Sequence, residues 1–467
     1  MDARFALAHS TNEAAWPELR RYAGRIEAVA AFLGAVVAGL LLLAPLDLGR
    51  TASGPILQLD LLVVNMPRAA AAGAVFAVVS AGLSVALGRR AAWIASLGSA
   101  AVLLVGHLFD RAEATAGTLT TVNYIDAIFS GILLGALAIA VLGRPPAMTA
   151  YLIGALASVL VGDLTALPAP GSANRPFIEW ASSDTPPVWF VALAVIALIA
   201  ATAAQVQEPA PEDDNTDLPI GPIVAALLLV TTTAVTTEWF VRHAENTVNL
   251  GVAVGVTIAG ALLAAFLLPG RDGALVLLAV PLTAAGSAII AVPRPDWTAP
   301  LPLIAVAAGY YLGRRLPVPW LGLAGCAALS VFAALTAPLG HRHELVPIIG
   351  ITVLGLLYGF CFAAALPSEA IGVVVALSVL LVPGLVIALR GHSLGRVAYS
   401  AHWYRDPNGL VTAGAGWLAL AVTVGCAAAL SILYRFRTTT AATFFATVSA
   451  NRRHLSKRSF THSSASE

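Results

Sequence analysis

The chain has 467 residues, of which 58% are hydrophobic and only 11% charged, and its mean hydropathy is +0.84; a soluble domain is about a quarter charged. This balance excludes a soluble domain of ordinary size, and a formal net charge of +1 excludes the concentrated basic face that phosphate recognition requires, so no nucleic-acid partner is expected. What remains is a chain partnered by the lipid bilayer, in which about 20 apolar residues cross a core of roughly 30 Å.

In chain order, apolar runs long enough to span begin near Ile26, Ala69, Ala91, Ala127, Met148 and Val188, each closed by a charge, proline or glycine cluster. A break follows at Glu208 to Pro219 (EPAPEDDNTDLP), too acidic and proline-rich to enter hydrocarbon. Eight further runs begin near Ile220, Val248, Ala274, Pro300, Trp320, Val346, Ala370 and Leu410. The pattern predicts an all-α polytopic membrane protein of about fourteen transmembrane helices. Its parts are an N-terminal segment (1–25), a six-helix half (26–207), an acidic linker (208–219), an eight-helix half (220–434) and a basic tail (435–467). The short run near Pro300 and the glycines near Ala127 leave twelve or thirteen open.

Glu13 and Glu18 break the pattern of a cleaved signal peptide, so the first helix is expected to remain. Arg4, Arg20, Arg21 and Arg25 precede it, and Arg435, Arg437, Arg452, Arg453, Lys457 and Arg458 follow the last. By the positive-inside rule both termini are cytoplasmic, in a bacterial inner (plasma) membrane. Lys457 is the only lysine, a bias typical of a GC-rich genome such as an actinobacterium's. The tail is expected to be partly disordered and held to anionic lipid by its basic groups.

The end of the second run reads Leu87-Gly88-Arg89-Arg90 and that of the tenth Leu312-Gly313-Arg314-Arg315, each before a tight inner turn. In a 6+2+6 arrangement these two helices are repeat mates. The pattern resembles the major facilitator superfamily in its fourteen-helix exporter form. That resemblance implies two six-helix bundles plus two extra helices, no cofactor, and a cytoplasmic gate in which Arg89, Arg90, Arg314 and Arg315 latch the bundles. The chain departs from the family's Gly-x-x-x-Asp-Arg-x-Gly-Arg-Arg turn at Val85 and Ala86, which stand where the aspartate and first arginine belong.

Ionisable groups in or beside lipid are costly and therefore functional candidates. His107 and Asp110 close the third run, Asp126 opens the fourth, Asp163 lies late in the fifth and Glu238 late in the seventh. These five are the candidates for proton coupling, Asp163 first because its neighbours are the most apolar. In the last outer loop Arg396, Trp403, Tyr404 and Arg405 combine rings with guanidinium forks, which suits a lipid headgroup or substrate and equally an interfacial aromatic belt. His341, His343 and Glu344 lack the spacing of a known metal motif, and Cys326, Cys361 and Cys426 each read as a buried structural thiol, so no metal site is expected. Gly131-x-x-x-Gly135 and Gly251-x-x-x-Gly255 predict close helix packing, and Pro281, Pro347 and Pro383 predict kinks.

No phosphate-loop motif occurs, so ATP is not expected to drive this chain by itself. The leading expectation is a secondary, proton-coupled exporter of a small molecule or lipid-like substrate. Two alternatives stay open: an envelope-assembly protein that binds protein partners without transport, and a lipid-linked glycosyltransferase using Asp47 or Asp60.

Overall fold

The computed structural model describes residues 23–42, 56–108, 116–164, 186–206, 218–243, 246–289, 300–337, 345–365, 367, 369–382, 384–386 and 413–461. Every long element among them is an α-helix, and there are fourteen: α1 (Ala23–Leu42), α2 (Ile56–Leu87), α3 (Arg89–Leu108), α4 (Ala116–Ala140), α5 (Pro145–Leu164), α6 (Val188–Val206), α7 (Ile220–His243), α8 (Thr247–Leu267), α9 (Asp272–Ile289), α10 (Pro300–Arg315), α11 (Pro319–Thr336), α12 (Leu345–Ala364), α13 (Ala370–Leu381) and α14 (Ala413–Thr461). Each expected run falls on one of them. Eleven are long and apolar enough to cross a membrane, so the chain is a multi-pass helical membrane protein.

Three helices fall outside those eleven. α10 has 16 residues and α13 only 12, which at 1.5 Å per residue give roughly 24 and 18 Å. α5 has 20 residues, and its side chains are described only from Pro145 to Leu160. α4 is continuous through Gly131 and Gly135 rather than interrupted by them. α14 runs without a break from Ala413 into the basic tail as far as Thr461. The backbone of the basic tail is thus helical as far as Thr461, where partial disorder was expected.

One end of the bundle gathers the tight turns, and their geometry explains their sequence. Gly88 (φ 85°), Gly143 (φ 80°) and Gly270 (φ 51°) sit in the left-handed region, which only glycine enters without strain, and each is followed by an arginine that opens or precedes the next helix. Gly313, the glycine of the second Leu-Gly-Arg-Arg tetrad, lies inside α10 instead, and a Cβ there would collide with the Phe360 carbonyl of α12.

Glycine sets the closest helix contacts. A Cβ at Gly131 or Gly135 of α4 would strike the carbonyl of Gly73 or Ala77 on α2. In the other half, a Cβ at Gly355 or Gly359 of α12 would strike the carbonyl of Pro302 or Val306 on α10. The spacing is four residues on all four helices, so the α2–α4 and α10–α12 pairs share one packing register. The Ser80 hydroxyl of α2 reaches the Ile132 carbonyl at 2.9 Å, while at the matching place Gly309 of α10 lies against the Leu356 carbonyl. In this register Gly313 corresponds to Ser84, not Gly88. The two Leu-Gly-Arg-Arg tetrads are therefore one helical turn out of phase with the packing.

Gly251 and Gly255 of α8 face outward, with no atom within 4 Å of where a Cβ would stand. Pro281 lies inside α9, but Pro347 is the third residue of α12, where an N–H has no helical acceptor and none is lost. Pro383 follows Val382, the C-cap of α13, and itself lies outside the described residues.

Between the halves, α2 packs on α13 and α5 on α10. The Ser378 hydroxyl shares its hydrogen between Val374 O (2.8 Å) and Ala74 O of α2 (3.3 Å), and Thr149 donates to the Tyr310 hydroxyl at 3.3 Å. α7 lies against α2 and α13, where Val230 joins Ala74 and Val382 in a small apolar cluster.

Candidate functional site

Two buried acids anchor the end that carries the tight turns. Glu27, in the second turn of α1, is fully buried. Its carboxylate accepts from Arg144 Nη1 at 2.6 Å, Arg89 Nη2 at 3.3 Å and the Gln205 amide of α6. Arg89 also donates through Nε to the Ala140 carbonyl at the end of α4, at 2.8 Å. Two guanidinium groups answer one carboxylate, and both remain about one-quarter exposed. The cluster joins α1, α3, the α4–α5 turn and α6.

Asp272, the first residue of α9, is likewise fully buried. Its position suits a carboxylate, since the amides of a first helical turn carry partial positive charge. Oδ2 also accepts from the backbone N–H of Glu369 at 3.3 Å, and Gly372 of α13 leaves room for it, because a Cβ there would collide with the carboxylate. Arg437 of α14 feels the Asp272 charge and caps α8, donating to Ala265 O (2.9 Å) and Leu268 O (2.6 Å). Glu369 lies ahead of α13, and partial burial, followed by the charge of Asp272, raises its pKa above the usual glutamate value.

The expected gate residues divide. Arg89 turns to Glu27 and Ala140, within the first half. Arg90 is exposed. Arg314 and Arg315 are exposed at the end of α10, with the Arg315 guanidinium 4.9 Å from the centre of the Tyr311 ring.

The coupling candidates divide as well. Asp126 is buried, with 2% exposure, on the face of α4 turned toward α3; its Oδ1 lies 3.7 Å from where a Cβ at Gly106 would stand. Asn123 and Ser130, three residues before it and four after, are fully buried on the same face. His107, beside Gly106 in the chain, donates from Nδ1 to Leu103 O at 2.8 Å. Glu238 is half-exposed and ion-paired with Arg68 of α2 at 2.7 Å. Asp110, the side chains of Asp163 and Asp60, and Asp47 lie outside the described residues, as do Arg396, Trp403, Tyr404, Arg405, His341, His343 and Glu344.

The three cysteines, 35 and 65 residues apart in sequence, converge from α11, α12 and α14. Each is fully buried, and Cys361 and Cys426 both lie near Cys326. Among the described residues no group of three or more His, Cys, Asp or Glu side chains is placed to hold a metal ion.

Sequence reasoning passed over Glu27, Asn123, Ser130, Arg144, Gln205 and Asp272. The stripe at 123, 126 and 130 was there to be found, since three polar residues at helical spacing in an apolar run mark one face. No protein-family model matches the chain, and a comparison with curated proteins finds no match.

Proposed function

We propose that this chain is a secondary, proton-coupled transporter that exports a small molecule or lipid-like substrate. In this reading α1–α6 and α9–α14 are two six-helix bundles of facilitator type, and α7 and α8 are an inserted pair. The observation that carries it is the shared register of the α2–α4 and α10–α12 pairs, together with the exchanged contacts α2–α13 and α5–α10. A pseudo-two-fold axis between duplicated halves generates both features, because it maps each cross-half pair onto the other. Seams of that kind let two bundles rock against each other around a shared central space. The gate is read as the Glu27 and Asp272 clusters, which tie each bundle together at the arginine-rich end, more than as a direct arginine latch between bundles.

The test uses full-length protein in liposomes with an imposed pH gradient and an internal pH dye, challenged with panels of hydrophobic small molecules and lipid-like amphiphiles. Compound-dependent proton flux is expected, and it is abolished by cross-linking cysteines introduced at Thr149 and Tyr310. Proton flux absent for every compound, together with stoichiometric recovery of partner proteins from the membrane, would favour the envelope-assembly reading instead.

A further inference from the structure

Three polar side chains share one stripe of α4. Asn123 and Ser130 are fully buried, and Asp126 between them is 2% exposed. Neither the amide oxygen nor the amide nitrogen of Asn123 has a hydrogen-bond partner in the protein, and neither has the hydroxyl of Ser130. Leaving such a group unsatisfied costs about 1–3 kcal/mol. A sequence this rich in alanine and leucine had apolar residues available for packing alone. The stripe therefore points to an occupant that meets these groups.

The chemistry of the groups selects it. Asn123 Nδ2 and the Ser130 hydroxyl can donate, while Asn123 Oδ1 and the Asp126 carboxylate accept. A metal cation would meet the oxygens and leave the amide N–H groups facing positive charge. Water meets both kinds. Spacing agrees, because Asn123 and Asp126 are separated by about 4.5 Å along the helix and Asp126 and Ser130 by about 6 Å. A water bonded on both sides bridges about 5.6 Å.

We infer that Asn123, Asp126 and Ser130 form a hydrated proton-binding site, in which water held by Asn123 and Ser130 passes a proton to and from the Asp126 carboxylate. On uptake, an O–H bond of hydronium breaks as one forms on Asp126, and the two opposite charges cancel. On release, the carboxyl O–H breaks and the proton returns to water. Among the described residues, the ionisable groups around the stripe are His107 beside Gly106 on α3, Tyr124 on α4, and at the same end of α2 Arg68, engaged with Glu238 of α7. Use of this proton for coupling rests on the transporter reading; its binding does not.

The test is infrared difference spectroscopy of the full-length protein in liposomes, identifying the Asp126 carboxyl band by its loss in Asp126→Asn and timing its exchange after transfer to heavy water. Rapid exchange is expected in the natural protein. It slows by about tenfold in Ser130→Ala and in Asn123→Leu, each of which removes a water ligand, and Asn123→Ser restores most of it. An Asp126 band whose exchange is the same in all three variants, or no titrating band from Asp126 at all, would overturn the proposal. So would displacement of the band by sodium but not by choline at fixed pH, which would make the occupant a metal ion. Normal exchange without any transport would leave the site standing and remove the transporter reading.

Discussion

Glu27 is the residue on which the first half's charge network converges, and its burial makes that network asymmetric. Removing the acid takes from two guanidinium groups the carboxylate they share, whereas removing either arginine leaves the other on that carboxylate. Glu27→Gln is therefore expected to destabilise the protein most, by up to about 3 kcal/mol given that the arginines are partly solvated. Arg144→Gln should follow, and Arg89→Gln should cost least, in keeping with contacts of 2.6 and 3.3 Å. A thiol-reactive fluorophore can monitor unfolding, because all three cysteines are buried until the fold opens. Glu369 gives a prediction of pH dependence. A carboxyl that ionises less readily in the folded chain keeps its contribution below the ordinary glutamate pKa and loses it as pH rises through the raised one. The unfolding temperature of the natural protein should accordingly fall across that window relative to Glu369→Gln; parallel profiles would count against the effect. Arg89 was legible from its Gly-Arg-Arg turn, but its partner was not. Glu27 stands one residue into an apolar run, where an interfacial acid looks the same, and Arg144 reaches it across 117 positions of sequence.

Among elements, the same glycine spacing has opposite consequences on α4 and α8. At Gly131, Gly135, Gly355 and Gly359 a methyl group would meet a backbone carbonyl, which cannot step aside without separating two helices. Alanine at any of these four should lower the unfolding temperature or abolish folding. Gly251→Ala and Gly255→Ala, with open space around them, should be neutral or stabilising by about 0.5–1 kcal/mol from helix propensity. Equal effects at both sets would contradict the packing register. A Gly-x-x-x-Gly stripe shows that a helix has a smooth face; it does not show what covers that face. The Leu-Gly-Arg-Arg tetrads misled for a similar reason, since arginine gathers at one membrane side regardless of register. Pro347 read as a kink because its distance from the true helix start is visible only once α12 is seen to begin at Leu345.

For the whole molecule, the order of the described helices was legible because burying apolar runs in lipid leaves the chain few choices, although only eleven of the fourteen expected spans are long and apolar enough to cross. Which helices touch was not, because a run of alanine and leucine packs acceptably against many surfaces. The seams between halves can be tested directly. Cysteines replacing Ala74 and Ser378, or Thr149 and Tyr310, should cross-link on oxidation, since the natural residues approach within 3.3 Å. If the halves rock, each bond should trap a single arrangement and stop transport, while the folded yield is unchanged. Cross-linked protein that transports normally would show that these seams do not separate.

The contact between Thr283 and Val379 bears on where such a molecule can divide. In a continuous helix the carbonyl of Val379 would accept from the residue four positions on, but that residue is Pro383, which has no N–H. The Thr283 hydroxyl of α9 stands in, sharing its hydrogen between Ala279 O at 3.0 Å and Val379 O at 3.3 Å. At its other end α13 is fastened to the same helix through Asp272. A short helix pinned at head and foot to one neighbour travels with that neighbour, since sliding would strip two part-buried polar contacts. α9 and α13 thus form a single strut, and in the transporter reading the surface along which the bundles part runs on the other side of α13, against α2.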